Sequence, residues 1–217
     1  MSLASTGAGG QEDELARARA SMFGLVARVF SGRPTEGLLD GIRDSQMLES
    51  LSAFDVVFEE DFLETDIDQL VGDLAGEFVR LFIGPGHHIA PYESVYVRSE
   101  DEDSPRLWGK ATVEVANFYL EAGLELPTGQ TPDHLGLELE AMAVLAEAEA
   151  VSRETGDLDS AKEIFEMQNE FCRQHLRIWV PKICSEIGNE TASSFYRNMA
   201  LLTASLVEMQ CGADSVF

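Results

Sequence analysis

The sequence predicts an all-α fold: a single-domain helical bundle of about eight helices with one long functional loop. Three observations carry this. Apolar residues recur at three-to-four spacing through most of the 217-residue chain. Period-two runs bounded by turn signals are nearly absent, with 94–98 the one short strand candidate. Gly and Pro fall between the periodic segments, where they end helices. At 45% hydrophobic residues, a chain of this length buries about 70% of its extended surface on folding, enough for a core without staples.

The elements follow in order. Residues 1–10 are small and Gly-rich and read as a disordered leader; 11–217 read as the helical domain. Over Glu12–Phe30, Leu15, Met22, Val26 and Phe30 share one face, and Gly32 closes the segment. Pro34 suits the first turn of a helix over Thr35–Arg43, and a short helix follows at Gln46–Phe54. Asp66–Ile83 repeats Leu70, Leu74, Phe78, Leu81 and Phe82, and Gly84-Pro85-Gly86 stops it. Gly84–Pro105 is the long irregular stretch, of a length that marks a functional or disordered loop. It includes Pro91 and the acidic patch Glu100–Asp103. Helix resumes at Leu107–Ala122. Thr131-Pro132-Asp133 predicts a capped start, with Pro at N1 and a carboxylate in the first turn, ahead of Leu135, Leu139, Met142 and Leu145. Two helices complete the chain, Leu158–Ile187 and Thr191–Cys211. Both Trp108 and Trp179 are expected in the core.

Charge excludes several function classes. Lys and Arg number 15 against 39 Asp and Glu, a net charge of −24. Nucleic-acid binders need a basic footprint, and anionic membrane surfaces repel such a field; cationic partners suit it. Between Arg43 and Arg80 no Lys or Arg interrupts the acidic residues of 44–77. That run reads either as a solvated face or as a field that concentrates an Arg-containing ligand. The start lacks the basic and apolar regions of a signal peptide, and no apolar run approaches the roughly 18 residues of a membrane span. The expectation is a cytoplasmic protein without stable membrane insertion. Cys172, Cys184 and Cys211 are odd in number and widely spaced, which argues against a disulfide framework and a thiolate zinc site.

Two stretches carry chemistry. In the first, over 78–96, LFIGPG leads through His87 and His88 to PYESVY; in the second, over 131–142, PDHL opens a helix. Tyr92, Glu93, Ser94 and Tyr96 offer two phenols and a carboxylate beside Pro91. Asp133, His134 and Glu138, after Pro132, begin a helix on which His134 and Glu138 lie one turn apart. If the loop packs on the helix start, the expected result is a groove with an acidic rim and aromatic walls. Carboxylates hold guanidinium groups bidentately, and aromatic faces take cations and apolar chains. Exposed ion pairs net only about 0–1 kcal/mol, so an apolar groove must supply the rest of a peptide's affinity. Gly84, Pro85, Gly86 and Pro91 would shape the loop.

In order and spacing these two stretches, with a third echo in Phe171, His175, Leu176 and Trp179, resemble the TorD/DmsD/NarJ family of redox-enzyme maturation chaperones. The likeness spans Phe78–Tyr196. It implies an all-helical fold that binds the N-terminal leader, often a twin-arginine signal, of a molybdenum-cofactor oxidoreductase catalytic subunit and holds that subunit for cofactor insertion, assembly and export. No complete ligand set or nucleophile–base pair can be assembled from the motifs, so no enzyme activity, no metal and no resident cofactor are expected. Weak guanine-nucleotide binding is implied for some relatives, and no motif marks such a site here.

The alternative is a metal-dependent hydrolase using His134, Glu138 and Asp133 with His87 or His88. A catalytic zinc site takes three protein ligands and an open position, but HExxH is absent. His134 equally suits a helix-start residue bonded within the fold, and the Tyr92 and Tyr96 hydroxyls equally suit ties from loop to helix. The oligomeric expectation is a monomer or a segment-swapped homodimer.

Overall fold

The computed structural model describes residues 6–86, 88–97 and 108–212, with side chains from residue 11 onward. Helix α1 runs over Thr6–Ser31, α2 over Glu36–Arg43, α3 over Ser45–Ser52, α4 over Glu60–Glu64 and α5 over Ile67–Phe82. After the loop come α6 (Glu93–Tyr96), α7 (Lys110–Glu121), α8 (Leu135–Glu154) and α9 (Leu158–Phe171). A π-helical turn at Cys172–Leu176 leads into α10 (Arg177–Glu190), and α11 is Ser194–Gly212. Among the described residues the one strand-like pairing is an isolated antiparallel bridge between Tyr92 and His134. The all-α bundle is borne out.

Helices α1 and α8 lie antiparallel along their lengths. Gly24 faces Ala143 and Gly136 sits against Ser31, while Arg17 reaches Glu147 and Glu154. Buried Glu149 accepts from Arg19 at 2.5 Å, Arg153 at 2.8 Å and Gln168 at 2.9 Å. A carboxylate with three donors keeps its charge inside the fold. One core joins Phe23, Val26 and Phe30 of α1 to Phe78 and Phe82 of α5, Leu139 and Met142 of α8, Trp179 of α10 and Tyr196 of α11. Beside it Phe58, Phe62 and Phe195 stack at 4.2 and 5.5 Å.

Part of the acidic run has a structural use. Asp44 caps α3 through Gln46 N and Met47 N, and Asp66 caps α5 through Asp68 N and Gln69 N. These satisfy helix N–H groups that lack intrahelical partners. Arg43 donates to the carbonyls of Phe62 and Thr65, holding α4 beneath α2.

Several expectations are corrected. Helix α1 already includes 6–10, expected as part of the leader. Leu15 is 57% exposed and Trp108 69% exposed, so neither is core; only Trp179, of the two tryptophans, is buried. Residues 93–96 are a helical turn, not a strand. Helix α8 starts after His134 rather than at Thr131, because Pro132 and Asp133 lie in a turn. Expected as one helix, 158–187 holds the π turn, followed by Pro181, which cannot donate within α10. Cys172 and Cys211 form a disulfide despite their separation of 39 residues, because α11 packs back across the π turn. His87, the acidic patch at 100–103, Pro105 and Leu107 lie outside the described residues.

Candidate peptide-binding site

The loop is brought onto the helix start, as the two motifs led one to expect. Gly84 N closes the end of α5 on Val79 O at 2.7 Å, Gly86 adopts φ +127°, and Ile89 N returns to Leu81 O at 2.7 Å. Pro91 and Tyr92 then run beside the residues preceding α8. Leu135 N donates to Pro91 O and Glu93 N to Asp133 O, both at 2.9 Å. Ser94 N donates to Asp133 Oδ2 at 2.9 Å. Tyr119 of α7 donates from its hydroxyl to Pro132 O at 3.1 Å. The junction is therefore tied from three sides by main-chain groups that would otherwise be buried unpaired.

The expected acidic rim is not formed by these carboxylates. Glu93 is 1% exposed, and Asp133 and Glu138 are 0% exposed. They point inward because each meets a donor there. Glu93 pairs with Nδ1 of His175 at 2.9 Å, and Glu138 accepts from the indole N–H of Trp179 at 3.1 Å. Burial first, then the charge of Glu93 beside it, pushes the Glu138 carboxyl well above its ordinary range. The same cluster, by burial first, raises the Tyr119 phenol. Ser94 Oγ, Asp133 Oδ1 and Glu138 Oε1 are buried without a protein partner.

What faces outward is aromatic. Tyr92 and His134 are half-buried, with ring centroids 5.2 Å apart and edge to face. His134 is the N-cap of α8, its Nδ1 accepting from Gly136 N at 3.1 Å. Burial lowers its pKa, partly countered by Asp133, so the imidazole is neutral, with its proton on Nε2. Tyr96, half-buried on Trp179 at 5.5 Å, donates to exposed Glu186 at 2.7 Å; this hydroxyl ties loop to helix. Burial and the Glu186 carboxylate raise the Tyr96 phenol.

As for the metal reading, Asp133 and Glu138 are committed to Ser94 N and Trp179, and exposed His88 turns to Gly86 O at 3.2 Å. Among the described residues no three His, Cys, Asp or Glu side chains form a ligand set. The residues not singled out for the site are His175, Trp179 and Tyr119. The first two stood in the third echo, four residues apart on a helix, which is the signal that marks them.

Residues 58–185, more than half of the chain, match the nitrate reductase delta subunit family. The chain belongs to that family. This delta-subunit family takes in TorD- and NarJ-type proteins, as the motifs led one to expect. The chain is 24% identical to the chaperone protein TorD of Shewanella loihica over 91% of this chain and 93% of that one. It is likewise 24% identical to the chaperone protein TorD of Vibrio atlanticus, over 85% and 88%. A crystal structure assigned to a redox enzyme maturation protein of Archaeoglobus fulgidus covers 90% of this chain and 91% of its own, at 17% identity and a TM-score of 0.46. The family match takes in the loop, the start of α8, the π turn and Trp179. No helix of the described residues is long and apolar enough to cross a membrane.

Proposed function

We propose that this member of the delta-subunit family is a cytoplasmic maturation chaperone. Its client is the catalytic subunit of a molybdenum-cofactor oxidoreductase, which it holds by the N-terminal leader, a twin-arginine signal in form, until cofactor insertion and export. The observation that carries this reading is the surface pair Tyr92 and His134, set on a junction whose carboxylates are turned inward as fasteners. A surface fixed before binding loses less side-chain freedom on contact. Apolar and cationic groups of a leader stack on such rings, and the net charge of −24 draws the Arg pair. Membership of a family with relatives named chaperone supports the same role.

Calorimetric titration of a twin-arginine leader peptide tests this. Tyr92→Ala and His134→Ala are each expected to weaken binding by about 1–3 kcal/mol; Tyr92→Ala should melt near the parent, and His134→Ala lower, because it also removes the cap of α8. Asp133 is set apart from them: it is buried on Ser94 N, so Asp133→Asn acts through the loop's placement. The association rate is expected to fall with salt more than dissociation rises. Absence of leader binding by the parent, or full affinity in both aromatic variants, would sink this assignment.

A further inference from the structure

The Cys172–Cys211 disulfide joins two places that matter elsewhere in the fold. Cys172 is fully buried and opens the π turn that carries His175, the partner of Glu93. Cys211, half-buried, lies in the last turn of α11, with Cα atoms 5.8 Å apart across the bond. Just before it, Gln210 donates to Asn169 Oδ1 at 2.6 Å. Leu206 and Met209 of the same turns wall an apolar groove of about 720 Å³, with Met22 and Phe23 of α1 opposite and Met47 and Phe54 from α3 and its end. One bond therefore pins the groove's α11 wall to the turn behind the loop.

We propose that Cys172 and Cys211 are a thiol–disulfide modification site. A low-molecular-weight thiol such as glutathione opens it, the corresponding disulfide closes it, and its state sets how firmly the end of α11 walls the groove. The thiolate of the first glutathione attacks Sγ of Cys211, the more accessible sulfur; the protein disulfide breaks and Cys172 leaves, taking up a proton. The thiolate of a second glutathione attacks the sulfur of the first, and Cys211 leaves and takes up a proton, so two glutathiones are oxidised to their disulfide while the protein pair gains two electrons and two protons.

Three features favour a switch over a staple. The core holds aromatic and aliphatic side chains from α1 through α11 and has no need of a cross-link. The Cys172 sulfur lies 3.4 Å from Val207 O, so the thiol freed by reduction finds an acceptor without moving. Cys184, the third cysteine, is buried apart from the pair, and its thiol is pushed up to about 12 by burial, so it does not compete in exchange. The proposal rests on the cytoplasmic reading, since disulfides there are transient and redox-sensing; its test uses no leader peptide and so fails separately from that of the chaperone role.

The full chain is equilibrated over a series of reduced-to-oxidised glutathione ratios, denatured in alkylating agent and weighed, with hydrogen exchange followed in parallel. One alkylated cysteine at the oxidising end and three at the reducing end are expected. Reduction is expected to speed exchange of the 206–212 amides by about tenfold or more. Cys211→Ser should give the fast pattern in both buffers, and Cys184→Ala should keep the transition. Three alkylations at every ratio, one at every ratio, or exchange indifferent to reduction would each overturn the proposal.

Discussion

Glu93 and His175, 82 residues apart, meet inside the fold: Nδ1 of the imidazole donates to the carboxylate at 2.9 Å, with both side chains buried. Helix α6 and the π turn are thereby fastened together. His175→Ala strands the carboxylate, and breaking a buried pair from one side costs about 3–5 kcal/mol. Adding Glu93→Gln to that variant is expected to recover part of the loss, as a double-mutant cycle by urea unfolding would read. A single-variant loss under about 1 kcal/mol would show the pair to be idle.

Glu138 makes stability depend on pH from the alkaline side. Its folded-state pKa is raised far above 4.5, so the fold holds a proton that the unfolded chain releases. The stabilisation is whole below about 4.5 and shrinks as pH rises toward the folded value. Glu138→Gln cannot ionise, and keeps an acceptor for Trp179. It is expected to match or exceed the parent near neutral pH and to flatten the loss of stability as pH rises above the ordinary carboxylate range. Parallel pH profiles of parent and variant would count against a protonated Glu138.

The opposite sign holds at Glu77. Hydrogen bonds from Arg80, then from Thr191 and Ala192 N, hold its carboxyl down at about 2 against an ordinary 4.5. Its contribution is present above 4.5 and lost as pH falls toward 2. Glu77→Gln should cost about 1.5–3 kcal/mol at neutral pH, the range for hydrogen bonds to a charged group. The gap from the parent should narrow as acid is added, and a gap that stays constant down to acid pH would refute the assignment.

Two glycines on the α1–α8 seam make a paired prediction. A Cβ on Gly136 would lie 3.0 Å from Ser31 Cα and closer still to its hydroxyl, so Gly136→Ala forces the helices apart at about 1–3 kcal/mol. A Cβ on Gly24 meets Ala143 at an ordinary 3.8 Å, so Gly24→Ala is expected to gain about 0.5–1 kcal/mol. Thermal melts read both, and equal effects would contradict the packing.

Much of the candidate site was legible. The loop and the start of α8 were singled out from residue order, and the structure joins them through Pro91 O, Asp133 O and Asp133 Oδ2. Their side-chain directions were not legible. Glu93, Asp133 and Glu138 look like a binding rim in sequence, because a carboxylate is ordinarily exposed. Here His175, Ser94 N and Trp179 supply inward donors from segments up to 82 residues away.

By itself the sequence determined the all-α class, the stops at Gly32 and Gly84, the acidic charge and the family motifs, since periodicity and turn chemistry are local. Tertiary structure alone decided that His134 rather than Thr131 caps α8, that Trp108 faces solvent while Trp179 is core, and that Cys172 finds Cys211. Each depends on which distant backbone or side chain arrives alongside. Helical spacing defines a face but does not name what covers it; the packing of α6, α10 and α11 around the π turn does.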